Sequence, residues 1–325
     1  MLLKVEDLRV EFHTYRGIVH ALNGVTFDLD RGEVLGLAGE TGSGKSVTAL
    51  SIQRLLPPNA RIVSGKIIFD GIDLVKLSEE EMEKIRGRRM AAVFQDPHTY
   101  LNPVFKIERQ FIDILKQHDP DVINSDKKDR EKVARDKAIQ MLKEVRMPAP
   151  ERVMKMYPHE LSGGMKQRVL LAMAYSLKPD LIIADEATTA LDVTIQAQVL
   201  EIMKELQKKS NISIILITHD LGIIAENCDR VAVMYAGRIV EFGHVTKVLV
   251  DPRHPYTQGL IRALPRTDKE VKPVSIPGTV PDLVNPPSGC PFHPRCQYAM
   301  DICREKVPEY KEIDGVRVAC FLYGR

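Results

Sequence analysis

Long apolar runs are missing from this chain of 325 residues. No stretch reaches the roughly 18 apolar residues that a membrane-spanning helix needs. The longest, residues 212–217 and 181–184, are the length of strands. The opening, "MLLKVEDLRVEF", alternates and carries charge early, so it lacks the apolar block of a secretory signal. A cytosolic or peripheral location is expected. Excess charge of either sign is also missing: the formal net charge is +2, which leaves no broad field to attract nucleic acid. Tryptophan is absent, and that excludes nothing. No internal repeat is visible. Cysteine is scarce until the end, where Cys290, Cys296, Cys303 and Cys320 follow the isolated Cys228.

What is present is an ordinary globular composition, 44% apolar and 28% charged. The length suits one large domain with an appendage, or two domains. "LKVEDLRVEF" and "HALNGVTFDLD" alternate with period two, as half-buried strands do. "GEVLGLAG" is a short apolar strand running into a glycine-rich loop, and "KSVTALSIQRLL" has helical spacing that stops at Pro57 and Pro58. "SGKIIFDGIDL" reads as two strands about an Asp-Gly turn. From about residue 106 to 157 the pattern is helical and densely charged, which reads as solvated helix faces on an inserted lobe. Strand–helix alternation returns at "LKPDLIIADEA", "ISIILITHD" and "DRVAVMYAGRIVEFG". The fold class is therefore α/β with a largely parallel sheet. Beyond about residue 250, proline is dense enough to block long helices and central strands. A separate tail of loops is expected there.

The chemistry starts at "GETGSGKS", residues 39–46. Gly39, Gly42 and Gly44 permit positive φ and a close approach of backbone N–H groups to oxygen. Lys45 can reach the β and γ phosphates of a nucleotide, and the Ser46 hydroxyl can ligate magnesium. A strand before and a helix after supply the context this motif requires, with the helix N-terminus adding partial positive charge. "LIIADEA" puts two acids at the carboxyl end of an apolar strand, where open α/β sheets bind ligands. Asp185 suits magnesium, directly or through water, and Glu186 suits the general base for an attacking water. "LSGGM", residues 161–165, reads as a second phosphate-compatible loop carrying Ser162, Gly163 and Gly164 ahead of another helix. The charged lobe separates it from Lys45. The expected solution is two subunits face to face and head to tail, each covering the other's nucleotide.

In order along the chain stand Walker A "GETGSGKS", Gln95 in "VFQDP", the signature "LSGGM", Walker B "LIIADE", "ALD" at 190–192 and His219 in "ITHD". This ordered set resembles the ABC transporter ATPases over about residues 1–245. The resemblance implies a P-loop cassette over residues 1–250, with a mostly parallel core, an antiparallel β subdomain and a helical subdomain at about 90–160. A small cysteine-rich domain over 251–325 would follow. It implies that ATP and Mg2+ are bound, the nucleotide by Gly39, Glu40, Thr41, Gly42, Ser43, Gly44, Lys45, Ser46 and Val47. Phe12 is the first choice, and Tyr15 the second, for the aromatic stacked on adenine. Gln95 would sense the γ-phosphate and share magnesium with Ser46 and Asp185. His219 would contact the γ-phosphate and hold the transition-state geometry, Asp192 would bridge the two subunits near the catalytic water, and Ser162, Gly163 and Gly164 would cover the other subunit's ATP.

"FQDPHTYLNP", "YPHELSGGMKQR", "HPYTQGLIRALP" and "GCPFHPRC" further resemble the ATPase subunits of dipeptide and oligopeptide importers, a branch that includes nickel importers. This implies a peripheral protein on the cytoplasmic face of the membrane. Its partners would be a second ATPase subunit (a different chain, or alternatively an identical one), two membrane permease subunits and an extracytoplasmic peptide-binding protein acting through them. No nucleic-acid partner is implied. The rival readings are a soluble ABC ATPase working on ribosomes or DNA, and a metal-cluster module with a vestigial ATPase. The first lacks the paired cassettes or long coiled coils such proteins carry. The second is opposed by intact Lys45, Asp185, Glu186 and His219.

The cysteine spacing, C-x5-C-x6-C-x16-C, departs from zinc-ribbon pairs and from the ferredoxin run. Four thiolates suit a [4Fe–4S] cluster or zinc, and spacing does not separate the two. The resemblance favours the cluster. His293 reads as a surface residue and Cys228 as a buried small apolar one.

Overall fold

The computed structural model describes residues 1–94, 97–186, 192–264 and 275–324. In chain order its strands are β1 (Leu3–Thr14), β2 (Gly17–Leu29), β3 (Val34–Ala38), β4 (Ala60–Phe69), β5 (Ile72–Asp73), β6 (Met90–Val93), β7 (Leu181–Asp185), β8 (Ser213–Ile217), β9 (Arg230–Tyr235), β10 (Arg238–His244), β11 (Lys311–Ile313) and β12 (Val316–Val318). The chain divides into two compact units, residues 1–77 with 216–325, and residues 78–215.

The first unit holds an antiparallel sheet ordered β2-β1-β4-β5. On β1, Leu3, Val5, Leu8 and Val10 are buried and the residues between them are more open, as the alternation requires. Register shifts let two residues oppose one at several points along β1. Asp70 and Gly71 both take positive φ, 49° and 82°, which is the turn that an Asp-Gly pair favours between twisted strands. The same unit contains the strand run β11-β12-β10-β9-β3. Only β3 and β9 run parallel within it, pairing Leu35 with Arg230 through Ala38 with Val233. Strands β10, β12 and β11 extend it antiparallel. The proline-rich segment expected to be loops thus contributes a hairpin to this unit. Arg230 ties the two sheets: its guanidinium bonds the Asp28 carboxylate at 2.7 Å and also reaches Glu33. Arg317 takes the other oxygen of Asp28 at 2.6 Å. The two arginines outweigh the desolvation that opposes them and hold the Asp28 carboxyl below its ordinary range.

In the second unit β6 lies parallel to β7, with Met90 opposite Leu181, and β7 is flanked on its other side by β8, where the unit boundary falls. Leu181–Ala184 are fully buried, which explains a strand that is apolar without alternating. The charged run forms the helix Arg130–Glu144, which buries only Ala134, Ala138 and Leu142. That narrow stripe at intervals of four is the inward face, and the charges are outward as read.

Candidate nucleotide site

Strand β3 ends at Ala38 and the chain turns at once through the glycine-rich loop into the helix Lys45–Ile52. Gly39, Gly42 and Gly44 have φ of 147°, 80° and 104°. At Gly39 the requirement is also spatial, because a Cβ would lie 2.2 Å from the Met234 carbonyl oxygen. Gly44 occupies the helix N-cap and supplies no side-chain cap, so the cap position leaves room for an anion. Lys45 is buried and folded back over the loop. Its Nζ donates to the carbonyls of Gly39 at 2.8 Å and Glu40 at 3.0 Å. The Ser43 N–H donates to the Glu40 carbonyl at 3.1 Å, and the Gly237 N–H donates to the Ser43 carbonyl at 2.9 Å. The loop thus folds two of its own carbonyl oxygens onto the Lys45 ammonium, and at Gly39 a side chain would obstruct it.

His219 belongs to the same unit and follows β8. Its neighbour Thr218 donates its N–H to the Leu37 carbonyl of β3 at 3.3 Å, and Asp220 caps the helix Leu221–Asn227. The histidine is thereby fixed at the end of the strand. Of the two expected adenine-stacking aromatics, Phe12 sits on β1 opposite Val19 and Ala60, and Tyr15 is 97% exposed in the turn after it.

The second unit carries the acids and the signature. Asp185 ends β7, and Glu186 follows with a left-handed φ of 46°. Such a conformation is costly for a residue with a Cβ and gathers at functional turns. Residues 162–164 are not a loop like the first. Ser162 is the N-cap of the helix Gly163–Ser176, its hydroxyl accepting from the Met165 N–H at 3.4 Å. Neither Gly163 nor Gly164 takes positive φ. Gly164 is required for another reason: a Cβ there would meet Cγ2 of Ile195 at 2.6 Å. Ile195 begins a helix capped by Asp192, whose carboxylate accepts from the Ile195 N–H at 3.0 Å. The signature and Asp192 are therefore brought together, a contact the sequence reading lacked. Gln95, and Ala190 and Leu191 beside Asp192, lie outside the described residues.

The four tail cysteines, Cys290, Cys296, Cys303 and Cys320, line one small cavity of about 10 Å³ with His254, Phe292, Tyr298 and Phe321. Burial pushes the Cys290 and Cys320 thiols up to about 11 and also raises Cys296. The donor set and its shared cavity suit a soft metal or an iron–sulfur cluster. Yet no group of three or more metal-ligating side chains among the described residues is spaced to hold a metal ion. The expected metal centre is not found as such; what the tail presents is four thiols around a mostly aromatic space. His293 is half-buried and turned to the Cys290 carbonyl at 2.9 Å.

Two residues that sequence reasoning did not assign also enter the first unit's loop. The Tyr256 hydroxyl accepts from the Glu40 N–H at 2.9 Å. Arg295 holds the Glu40 carboxylate with both terminal nitrogens, at 2.7 and 3.0 Å. The segments "HPYTQ" and "FHPRC" carried a family resemblance in sequence, but nothing local told which side chain in them met the loop.

Residues 22–189 match the family model "ABC transporter", and residues 240–303 match "Oligopeptide/dipeptide transporter, C-terminal region". The chain is 51% identical over 310 residues to "Oligopeptide transport ATP-binding protein OppD" of Bacillus subtilis, covering 94% of this chain and 84% of that one. It is 47% identical to "Dipeptide transport ATP-binding protein DppD" of the same organism, covering 99% and 94%. Among solved structures, "Dimeric Structure of MJ0796, a Bacterial ABC Transporter Cassette" superposes with a TM-score of 0.65 at 26% identity, covering 75% of this chain and 98% of that one. The cassette MJ0796 in a post-hydrolysis state, bound to ADP and Pi, gives 0.64 at 25% identity with the same coverage.

Proposed function

The chain belongs to the ABC transporter family, and from that premise we propose that it is the ATP-hydrolysing subunit driving peptide import through a membrane permease. The observation that carries this is the 51% identity to an oligopeptide transport ATP-binding protein over nearly the whole chain, joined to the C-terminal match at residues 240–303. No described helix is long and apolar enough to cross a membrane, and in this reading other chains contribute the permease. The working position is the cytoplasmic face of the membrane.

In this reading Gly39 through Val47 wrap the triphosphate, and Lys45 exchanges its bonds to the Gly39 and Glu40 carbonyls for phosphate oxygens. Ser46, Asp185 and Gln95 would hold magnesium, which would supply charge neutralisation at the bound triphosphate. Glu186 takes the proton of the attacking water, and His219 steadies the γ-phosphate. Phe12, or Tyr15 in its place, stacks on adenine. A second ATPase subunit brings its own serine-glycine turn to this nucleotide, while Ser162, Gly163 and Gly164 serve the partner's, with Asp192 at the junction. The relatives of dimeric cassette structure support that pairing. Cys290, Cys296, Cys303 and Cys320 together would hold a [4Fe–4S] cluster, or zinc in its place, which would stabilise a tail with little core of its own. A visible absorption spectrum of anaerobically purified protein distinguishes them, since zinc is colourless.

The test of the whole reading is Glu186→Gln in the assembled transporter. Hydrolysis and peptide uptake should fall by about a thousandfold, within the range of general-base loss, while ATP remains bound. Undiminished turnover would remove Glu186 from its role, and hydrolysis without any peptide-dependent uptake would remove the cargo.

A further inference from the structure

Glu40 is the one acidic side chain inside the loop "GETGSGKS", where a triphosphate is to be bound. A carboxylate in that position opposes the ligand's charge unless something neutralises it. In the first unit the Arg295 guanidinium does so in a fork, with Nη1 and Nη2 on the two carboxylate oxygens at 2.7 and 3.0 Å. Its side chain is only 5% exposed and that of Glu40 30%, so solvent screens this pair less than one lying wholly on the surface. The fork is itself fixed. Nε donates to the Pro277 carbonyl at 2.8 Å, and the guanidinium lies 5.7 Å from the Tyr235 ring centroid.

The backbone of Glu40 is held as firmly as its side chain. Its N–H donates to the Tyr256 hydroxyl at 2.9 Å, and its carbonyl accepts from Lys45 Nζ at 3.0 Å. Tyr256 is fully buried and packs on Tyr235 and Phe292, with centroids 4.6 and 5.4 Å apart. Both anchors of Glu40 thus come from beyond residue 250, more than 200 positions away.

We infer that Arg295 is a positioning residue of the nucleotide site: it neutralises Glu40 and holds that carboxylate away from the phosphates, with Tyr256 fixing the same residue's backbone. The inference rests on residues 39–46 binding ATP. It makes the C-terminal segment part of the ATP site, so that affinity for nucleotide depends on a side chain that touches no nucleotide atom. Its logic is electrostatic, and removing the carboxylate should therefore remove the need for the arginine.

The experiment compares Arg295→Ala, Glu40→Gln and the double variant, by steady-state hydrolysis in the assembled transporter and by titration of the full chain with a fluorescent ATP analogue. Arg295→Ala should raise KM for ATP and weaken binding about tenfold, the scale of one net hydrogen bond to a charged group, with kcat per active site changed less than about twofold. The double variant should recover to within about threefold of the parent, because no uncompensated carboxylate remains. Raising salt should shrink the defect of Arg295→Ala. Should that variant not fold, Arg295→Lys keeps the charge but not the fork and is expected to show an intermediate rise in KM. An unchanged KM in both Arg295 variants overturns the inference, as does a double variant no better than Arg295→Ala, which is the pattern of a purely structural residue. Lys45→Ala is the separate control. If it leaves ATP binding intact, the reading of the loop fails, and the Arg295 result no longer bears on nucleotide.

Discussion

The two glycine-rich stretches look alike on paper and differ in the folded chain. In residues 39–44 glycine answers a backbone need, with three positive φ angles and, at Gly39, a carbonyl oxygen where a Cβ would stand. In residues 162–164 the backbone is an ordinary helix start, and Gly164 answers a side chain, Ile195, from a neighbouring helix. One stretch bends through left-handed φ at three glycines and folds its carbonyls onto Lys45. The other allows two helices to approach closely, so that Ser162 and Asp192 hold fixed positions relative to each other. Composition cannot separate these uses, because glycine is chosen for what it lacks in both.

Substitutions separate them. The largest effect is expected at Gly39→Ala, which should weaken ATP binding about a hundredfold, or roughly 2.8 kcal/mol, in a fluorescent-nucleotide titration. No second change in a side chain should restore it, since the obstacle is the Met234 backbone oxygen. Gly164→Ala should cost stability, and leave the affinity of the single chain's own 39–46 loop for nucleotide unchanged. Overpacking of about 1–3 kcal/mol is partly offset by alanine's better helix propensity, as read from denaturant melts of the full chain. Here a second change should help. Ile195→Ala removes the obstructing methyl, and a coupling of about 1 kcal/mol is expected in the double-mutant cycle. Strict additivity would break the distinction drawn above. Gly42→Ala meets no atom within 4 Å, so only its left-handed φ matters, and a loss of about 1 kcal/mol is expected in the same melts. The smallest effect belongs to Ser162→Ala. Its cap bond is long, 3.4 Å, and about 0.5 kcal/mol should be lost.

The same contrast explains how much could be read from sequence. The loop at 39–46, the apolar strand ending in Asp185 and the Asp-Gly hairpin at 70–71 are local in origin. Their residues are adjacent and their φ requirements leave a mark in composition. The need for glycine at 164 was hidden because its cause, Ile195, lies on another helix. The Arg295–Glu40 pair spans 255 positions, and no period or spacing reports a contact of that range. The tail hairpin escaped for a related reason. Strands β11 and β12 have three residues each, too few to show alternation among prolines, and they exist because β10 offers them a ladder. The thiols were legible as a group, and their meeting in one cavity follows the reading, whereas the spacing for metal does not appear in the described residues.

That short hairpin has a consequence for solubility. Strand β10 carries buried Ile239, Val240 and Phe242 and pairs on one side with β9 and on the other with β12. Were residues 311–318 removed, Glu241, Phe242 and Gly243 of β10 would lose their ladder and leave an open edge beside apolar side chains, the template by which sheets of different molecules join. What ends the run instead is β11, three residues long with exposed Lys311 and Glu312. A chain trimmed there would be expected to precipitate through its own sheet, which makes the last residues guardians against self-adhesion as well as neighbours of the thiols.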